Sequence, residues 1–188
     1  MQRCGWVSQD PLYIEYHDTE WGVAQKEGRQ LFEMICLEGQ QAGLSWITVL
    51  KKRQNYRQAF HQLAAMGDDD IERLLQDTGI IRHRGKIQAI IGNARAYLAM
   101  EENGESFTDF VWSFVDNAPQ VTRAATLAEI PTTTPASDAL SKALKKRGFK
   151  FVGSTICYSF MQACGLVNDH VTGCFCPPGG QDDPQVGH

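Results

Sequence analysis

An all-α fold is predicted by three features of this sequence. Apolar residues recur at spacings of three and four along most of the chain, the period of a helix with one buried face. Alternating apolar and polar runs, the mark of a half-buried strand, are nearly absent. Breakers such as Met66-Gly67, Asn103-Gly104 and the Thr- and Pro-rich stretch 117–135 fall between the periodic segments.

A length of 188 residues suits one domain, or two lobes sharing a core, and 43% hydrophobic with 21% charged residues is an ordinary globular composition. No apolar run approaches the ~20 residues that span a bilayer, and Met1 to Trp6 lacks a signal-type apolar segment. A cytoplasmic protein with reduced thiols and no membrane partner is expected.

Taken in order, residues 1–28 read as irregular and aromatic, with Trp6, Tyr13, Tyr16 and Trp21 forming a wall over something. A helix follows from Gln30 to about Leu50, broken or bent near its glycines, with Leu31, Ile35, Ala42, Ser45 and Val49 as its stripe. Glu38 falls on that stripe, where a carboxylate is costly unless something binds it. Gly39 and Gly43 interrupt the helix, and Trp46 follows Glu38 on nearly the same side. A buried acid, small residues and an indole together suggest a pocket for a flat, polar, cationic ligand. The alternative is a core helix whose Glu38 reaches its edge or pairs with a basic residue.

Lys51 to Leu63 continues helical, with Tyr56 and Phe60 four apart. Asp68, Asp69 and Asp70 supply a cap and favourable charge to a helix through Ile71, Leu74 and Leu75 that ends near Gly79. After a connector at 80–85, a long helix buries Ile87, Ile90, Ile91, Ala94, Tyr97 and Leu98. Ser106 to Asp116 is a compact amphipathic helix, and 117–135 a surface loop. Thr134 caps a helix from Ala136 to Arg147 with Pro135 at its first position. A Gly-bounded turn leads into an apolar helix, Ser154 to Cys164, and beyond Cys176 the polar tail 177–188 is expected to be disordered.

The net charge of −4 argues against nucleic acid, but its distribution does not: 12 of the 18 Lys and Arg fall in three runs uninterrupted by acids, at 51–57, 82–86 and 142–150. Each run is either a phosphate-binding patch or a solvated helix face. The third surrounds the turn between two helices. Lys146, Gly148, Lys150, Gly153 and Ser154 there offer cations and free backbone N–H groups at a helix N-terminus, a seat for DNA phosphates. An ordinary αα-hairpin has the same pattern.

Cys36, Cys157 and Cys164 sit in apolar helical patterns and read as buried thiols. Cys4 and His17 near one end, and His170, Cys174 and Cys176 near the other, lie in irregular segments. The short spacing from His170 to Cys174 is that of zinc ligands, and a site drawing on both ends would tie together segments that packing alone does not hold. Free cysteines and solvated histidines are the alternative.

The hairpin followed by Asn168-Asp169-His170 resembles the helix-hairpin-helix DNA glycosylases. Aligned through His170, the superfamily's catalytic Asp position holds Asn168, and its Lys nucleophile position holds Thr155. That departure marks one family. Arg3-Cys4-Gly5-Trp6, Tyr16-His17-Asp18, Glu20-Trp21-Gly22, the Glu38–Trp46 stretch, Ile80-Ile81-Arg82 with Lys86-Ile87, and Lys146 to Gly153 resemble the constitutive bacterial 3-methyladenine DNA glycosylase I family over roughly 1–176. One departure is visible, a shortened link at 62–66.

The resemblance implies a helix-hairpin-helix fold forming a single domain over 1–176, and a structural Zn2+ held by Cys4, His17, His170 and Cys174, with Cys176 competing for the last place. It implies Glu38 as the catalytic residue, acting as counter-charge and hydrogen-bond acceptor for the base. Tyr16 would bind the base's remaining edge, Trp46 would stack on it, and Tyr13, Trp6 and Trp21 would complete the wall. It further implies a monomer acting on alkylated double-stranded DNA, hydrolysing the N-glycosidic bond of 3-methyladenine without a lyase step. Asp169 is a candidate for positioning water. A second reading keeps pocket and hairpin but makes the protein a non-catalytic modified-base or DNA-binding module. A third is a plain helical scaffold.

Overall fold

The computed structural model describes residues 1–41, 43–60 and 62–176, and of 59 and 60 the backbone alone. Ala42 on the expected stripe, the Phe60 ring, His61 and the tail 177–188 lie outside the described residues. Eight α-helices occur among the described residues: α1 Pro11–Thr19, α2 Gly28–Gln40, α3 Trp46–Phe60, α4 Asp68–Leu74, α5 Arg84–Glu102, α6 Phe107–Trp112, α7 Pro135–Lys146 and α8 Ser154–Ala163. Two-residue strands β1, Gln120–Val121, and β2, Val167–Asn168, pair in parallel. None of the described helices is long and apolar enough to cross a membrane.

The segment 1–28 is not wholly irregular. Asp10 caps α1 by accepting from the Leu12 N–H at 3.0 Å, and Pro11 takes the first helical position. The buried side chains of α1 are Tyr16 and His17, so it lacks the aliphatic stripe that would have announced it.

Helix α2 is capped by Glu27 and buries every residue from Ile35 to Gln40. It stops at Gln40, so the expected stripe does not run on: Ser45 is exposed and Trp46 opens a new helix. Gly43, at φ +81°, makes the chain reversal between them. At Gly39 a Cβ would stand 2.9 Å from the Phe151 carbonyl oxygen. The two glycines therefore admit a turn and a close helix–hairpin contact.

Gly67 caps α4, Asp70 Oδ2 accepts from its N–H at 2.9 Å, and the helix ends at Leu74 rather than near Gly79. Helix α5 buries Ile87, Ile90, Ile91 and Ala94, while Leu98 remains exposed where the periodicity predicts burial. The stretch 117–135 is more than a surface loop, because β1 ties it to β2. Thr134 caps α7 as expected.

Asn93 grips both sides of the Lys150 peptide, accepting from its N–H at 2.8 Å and donating to its carbonyl at 3.1 Å. Ser141 Oγ donates to the Val152 carbonyl at 2.7 Å. The turn between α7 and α8 is thus pinned from two helices. A main core of α2, α5, α6, α7 and α8 side chains, including Leu31, Ile87, Trp112, Leu140 and Phe160, lies beneath it. A second cluster, Cys4, Tyr16, Trp21, Leu50, Ala163, Val171 and Cys174, joins the two terminal segments.

Candidate active site

Helix α1 and its flanks carry four aromatic rings to one place. Trp6 packs 5.1 Å from Tyr13 and 5.0 Å from Trp21, and Tyr16 lies 5.7 Å from Trp46 at the start of α3. With Glu38 and Gln41 they line a cavity of about 320 Å³, whose other walls include Leu127, Ile130, Thr132, Thr155, Tyr158 and Gln162. Every base-pocket residue expected from the sequence lies on this wall. Gln41, the segment 127–132 and the face of α8 went unforeseen. The only hint was Thr155, at the position of the superfamily nucleophile.

Glu38 is 4% exposed. No hydrogen bond or ion pair to its carboxyl is present among the described residues, and burial pushes its proton affinity up to about 8. In the free protein at neutral pH this carboxyl therefore tends to hold its proton. A cation in the cavity is what would favour its ionised form. Burial first, and the nearby Glu38 second, also hold the Tyr16 phenol well above its ordinary range. Two buried polar atoms lack partners among the described residues, Trp6 Nε1 and Trp46 Nε1. Both belong to cavity-lining side chains, but the nitrogens themselves are sealed within the protein, a cost the fold carries.

Next to the cavity, Cys4, His17, His170 and Cys174 place one ligating atom each within 4.8 Å of the others. Cys4 Sγ is 3.5 Å from His170 Nδ1, and Cys174 Sγ is 3.5 Å from His17 Nε2 and 3.6 Å from His170 Nδ1. A tetrahedron of zinc–sulfur and zinc–nitrogen bonds has edges of roughly 3.5 Å. The remaining ring nitrogens are held: His17 Nδ1 by Asp18 at 2.7 Å, His170 Nε2 by the Trp21 carbonyl at 2.7 Å. That fixes the tautomers metal binding needs. Burial pushes the Cys4 thiol up and His170 down to about 4, so the histidine is neutral, the form in which it can ligate a metal. This group could hold a metal ion. Cys176 stands outside it, donating its backbone N–H to Cys174 Sγ at 3.5 Å.

The three basic runs separate. In the first, Lys51 pairs with Asp10, Arg53 with Glu20 and Arg57 with Glu33. In the second, Arg84 pairs with Glu72 and Lys86 is buried, donating to the Gln40 carbonyl at 2.9 Å. In the third, Arg147 pairs with Glu105, but Lys142, Lys145, Lys146 and Lys150 are exposed, with no ion pair among the described residues. Ser154 turns its hydroxyl to Asp138 at 2.5 Å, leaving its backbone N–H rather than its side chain for a phosphate. Asn168 and Asp169 are buried and do not line the cavity.

A family model described as methyladenine glycosylase matches residues 6–177. Over 184 residues the chain is 78% identical to DNA-3-methyladenine glycosylase 1 of Escherichia coli, covering 95% of this chain and 98% of that one. A crystal structure of 3-methyladenine DNA glycosylase I, also 78% identical, aligns with a TM-score of 0.92 over 94% of this chain and 100% of its own. A substituted 3-methyladenine DNA glycosylase I in complex with 3-methyladenine, 37% identical, aligns with a TM-score of 0.90 over 96% of this chain and 100% of its own.

Proposed function

The chain belongs to the methyladenine glycosylase family, and from that premise we propose that it is a base-excision repair enzyme that hydrolyses the N-glycosidic bond of 3-methyladenine in alkylated DNA. The observation that carries this reading is Glu38, a carboxyl without a partner among the described residues, buried in an aromatic cavity.

A base inside a duplex is out of reach, so its nucleotide is extruded into the cavity. Methylation at N3 leaves adenine positively charged. That cation stacks on Trp46, a contact worth about 2 kcal/mol when desolvated, and draws Glu38 into its ionised form, which accepts the amino hydrogens. As the C1′–N bond breaks, its electron pair passes to the base, which becomes neutral. Water adds to the sugar and releases a proton. With the charge gone from the cavity, Glu38 regains its preference for a proton. The cationic base is a good leaving group, which fits a site with Asn168 where the superfamily has Asp and Thr155 where bifunctional members have Lys. The reaction is therefore monofunctional, with no lyase step.

The pinned α7–α8 turn serves as the helix-hairpin-helix element. Lys146, Lys150 and the backbone of Gly148, Gly153 and Ser154 hold DNA phosphates. Cys4, His17, His170 and Cys174 would hold a structural Zn2+ that joins the N- and C-terminal segments. Residues 1–176 act as one domain in a cytoplasmic monomer. Chromatographic assay of bases released from methylated DNA is the test: free 3-methyladenine is expected, whereas DNA binding without release would point to a non-catalytic module.

A further inference from the structure

Helix α2 touches both halves of the proposed site. Glu38 lines the base cavity, and the next residue, Gly39, meets the turn between α7 and α8 that carries the proposed phosphate seat. A Cβ on Gly39 would stand 2.9 Å from the Phe151 carbonyl oxygen and 3.2 Å from Phe151 Cβ. Backbone cannot swing aside as a side chain can, so helix and turn lie as close as a missing side chain permits. Asn93 of α5 bridges the same two parts. Its buried amide holds both sides of the Lys150 peptide, at 2.8 and 3.1 Å, and lies against the Cys36 thiol of α2. Cys36 and Gly39, three positions apart, share one face of that helix. Phe151 holds φ +56°, a left-handed conformation costly to any residue with a side chain. A turn keeps such a shape only where its surroundings dictate it, and Gly39, Asn93 and Ser141 supply those surroundings.

Neither Gly39 nor Asn93 lines the cavity. What they set is a distance. The base in the cavity and the phosphates on the turn belong to one strand, so the reach between them is fixed by covalent length. Cavity and seat therefore have to stand in one register, and misplacing a reacting group by about 1 Å costs on the order of a hundredfold in rate. We infer that Gly39 and Asn93 are positioning residues that fix the register between the phosphate seat at 148–154 and the cavity around Glu38, so that a strand gripped by its phosphates delivers its extruded base to Glu38. This rests on the glycosylase reading and adds how the two halves of the site are joined.

Three measurements separate such joining from mere packing: binding of free 3-methyladenine, read by tryptophan fluorescence; binding of undamaged duplex DNA across a salt series; and single-turnover release of 3-methyladenine from methylated DNA. In Gly39→Ala the added methyl pushes turn and helix apart by a few tenths of an ångström, while cavity and seat each stay whole. Free-base affinity, duplex affinity and its salt slope are expected to stay within about twofold of wild type while release falls about tenfold, part of the cost of a misplaced reacting group. Asn93→Ala, which removes the bridge and adds nothing, should give the same pattern. An unchanged release rate in Gly39→Ala, or a fall no larger than the loss of free-base or duplex affinity, would reduce the junction to packing or to damage within one half and overturn the inference. Should Gly39→Ala fail to fold, Asn93→Ala decides by the same three measurements; failure of both to fold would mark the junction as architectural and overturn it too. Wild-type protein releasing no 3-methyladenine would overturn the glycosylase reading and this inference together, an outcome the wild-type measurement identifies by itself.

Discussion

Glu38 is 4% exposed and Asp169 is 0% exposed, yet one carboxyl meets no protein donor among the described residues and the other meets three. Burial of an acid is costly in either place. At Asp169 the fold supplies hydrogen bonds that offset the cost, and the residue becomes part of the frame. At Glu38 the cost is left standing, offset only when a guest arrives. The informative feature of a buried acid is therefore the tally of its donors, not its depth.

The largest effect should come from removing the unmet charge. Glu38→Gln is expected to slow single-turnover 3-methyladenine release by about a hundredfold or more, the scale of a preorganised electrostatic contact, with the fold intact. Equal rates would erase the contrast between the two acids. Asp169→Ala removes a met charge and strands its donors; the expected loss is about 2–4 kcal/mol, read as a melting temperature lower by on the order of 10 °C.

The pH dependence sharpens the comparison further. Folded Glu38 keeps its proton up to about 8, whereas an ordinary carboxyl loses it near 4.5. Stability from this group is thus fully present below 4.5 and is lost as pH rises toward 8, opposite to a carboxylate held by donors. Glu38→Gln should melt higher than wild type by a margin that widens from pH 5 to pH 8. A constant margin would contradict an unmet buried acid.

Metal removal should touch one region and spare the other. About one equivalent of zinc is expected in protein purified without chelator. Chelation should lower the melting temperature and expose 1–22 and 167–176 to hydrogen exchange, while α2 stays protected. The smallest effect concerns the cations, where the same contrast recurs. Lys150→Ala should weaken DNA binding severalfold and reduce its salt slope by about one. Lys51→Ala, whose ammonium already faces Asp10 at 3.1 Å, should change DNA binding little.

Much of this was legible from residue types. Glu38 stood out as an acid on an apolar stripe, and the Thr134–Pro135 cap and the α7–α8 turn were where local chemistry placed them. Helix α1 was missed because its buried side chains are Tyr16 and His17. The α8 wall was missed because Tyr158 and Gln162 face the cavity from a helix whose apolar pattern describes its other side. Charge runs misled most. The acids that neutralise Lys51, Arg53 and Arg57 are Asp10, Glu20 and Glu33, between 24 and 41 positions away. A sequence shows its own neighbours; long-range pairing is made only by the fold.

The Cys/His cluster joins atoms from Cys4 and His17 to atoms from His170 and Cys174, with 166 positions between the closest Cys4–His170 contact. During synthesis at about 5–20 residues per second, the first aromatic segment leaves the ribosome many seconds before His170 and Cys174 exist. Until then Trp6 and Trp21 have no second cluster to join. The cavity is accordingly among the last features to be assembled, and a chain released early would carry Glu38 without a finished pocket around it.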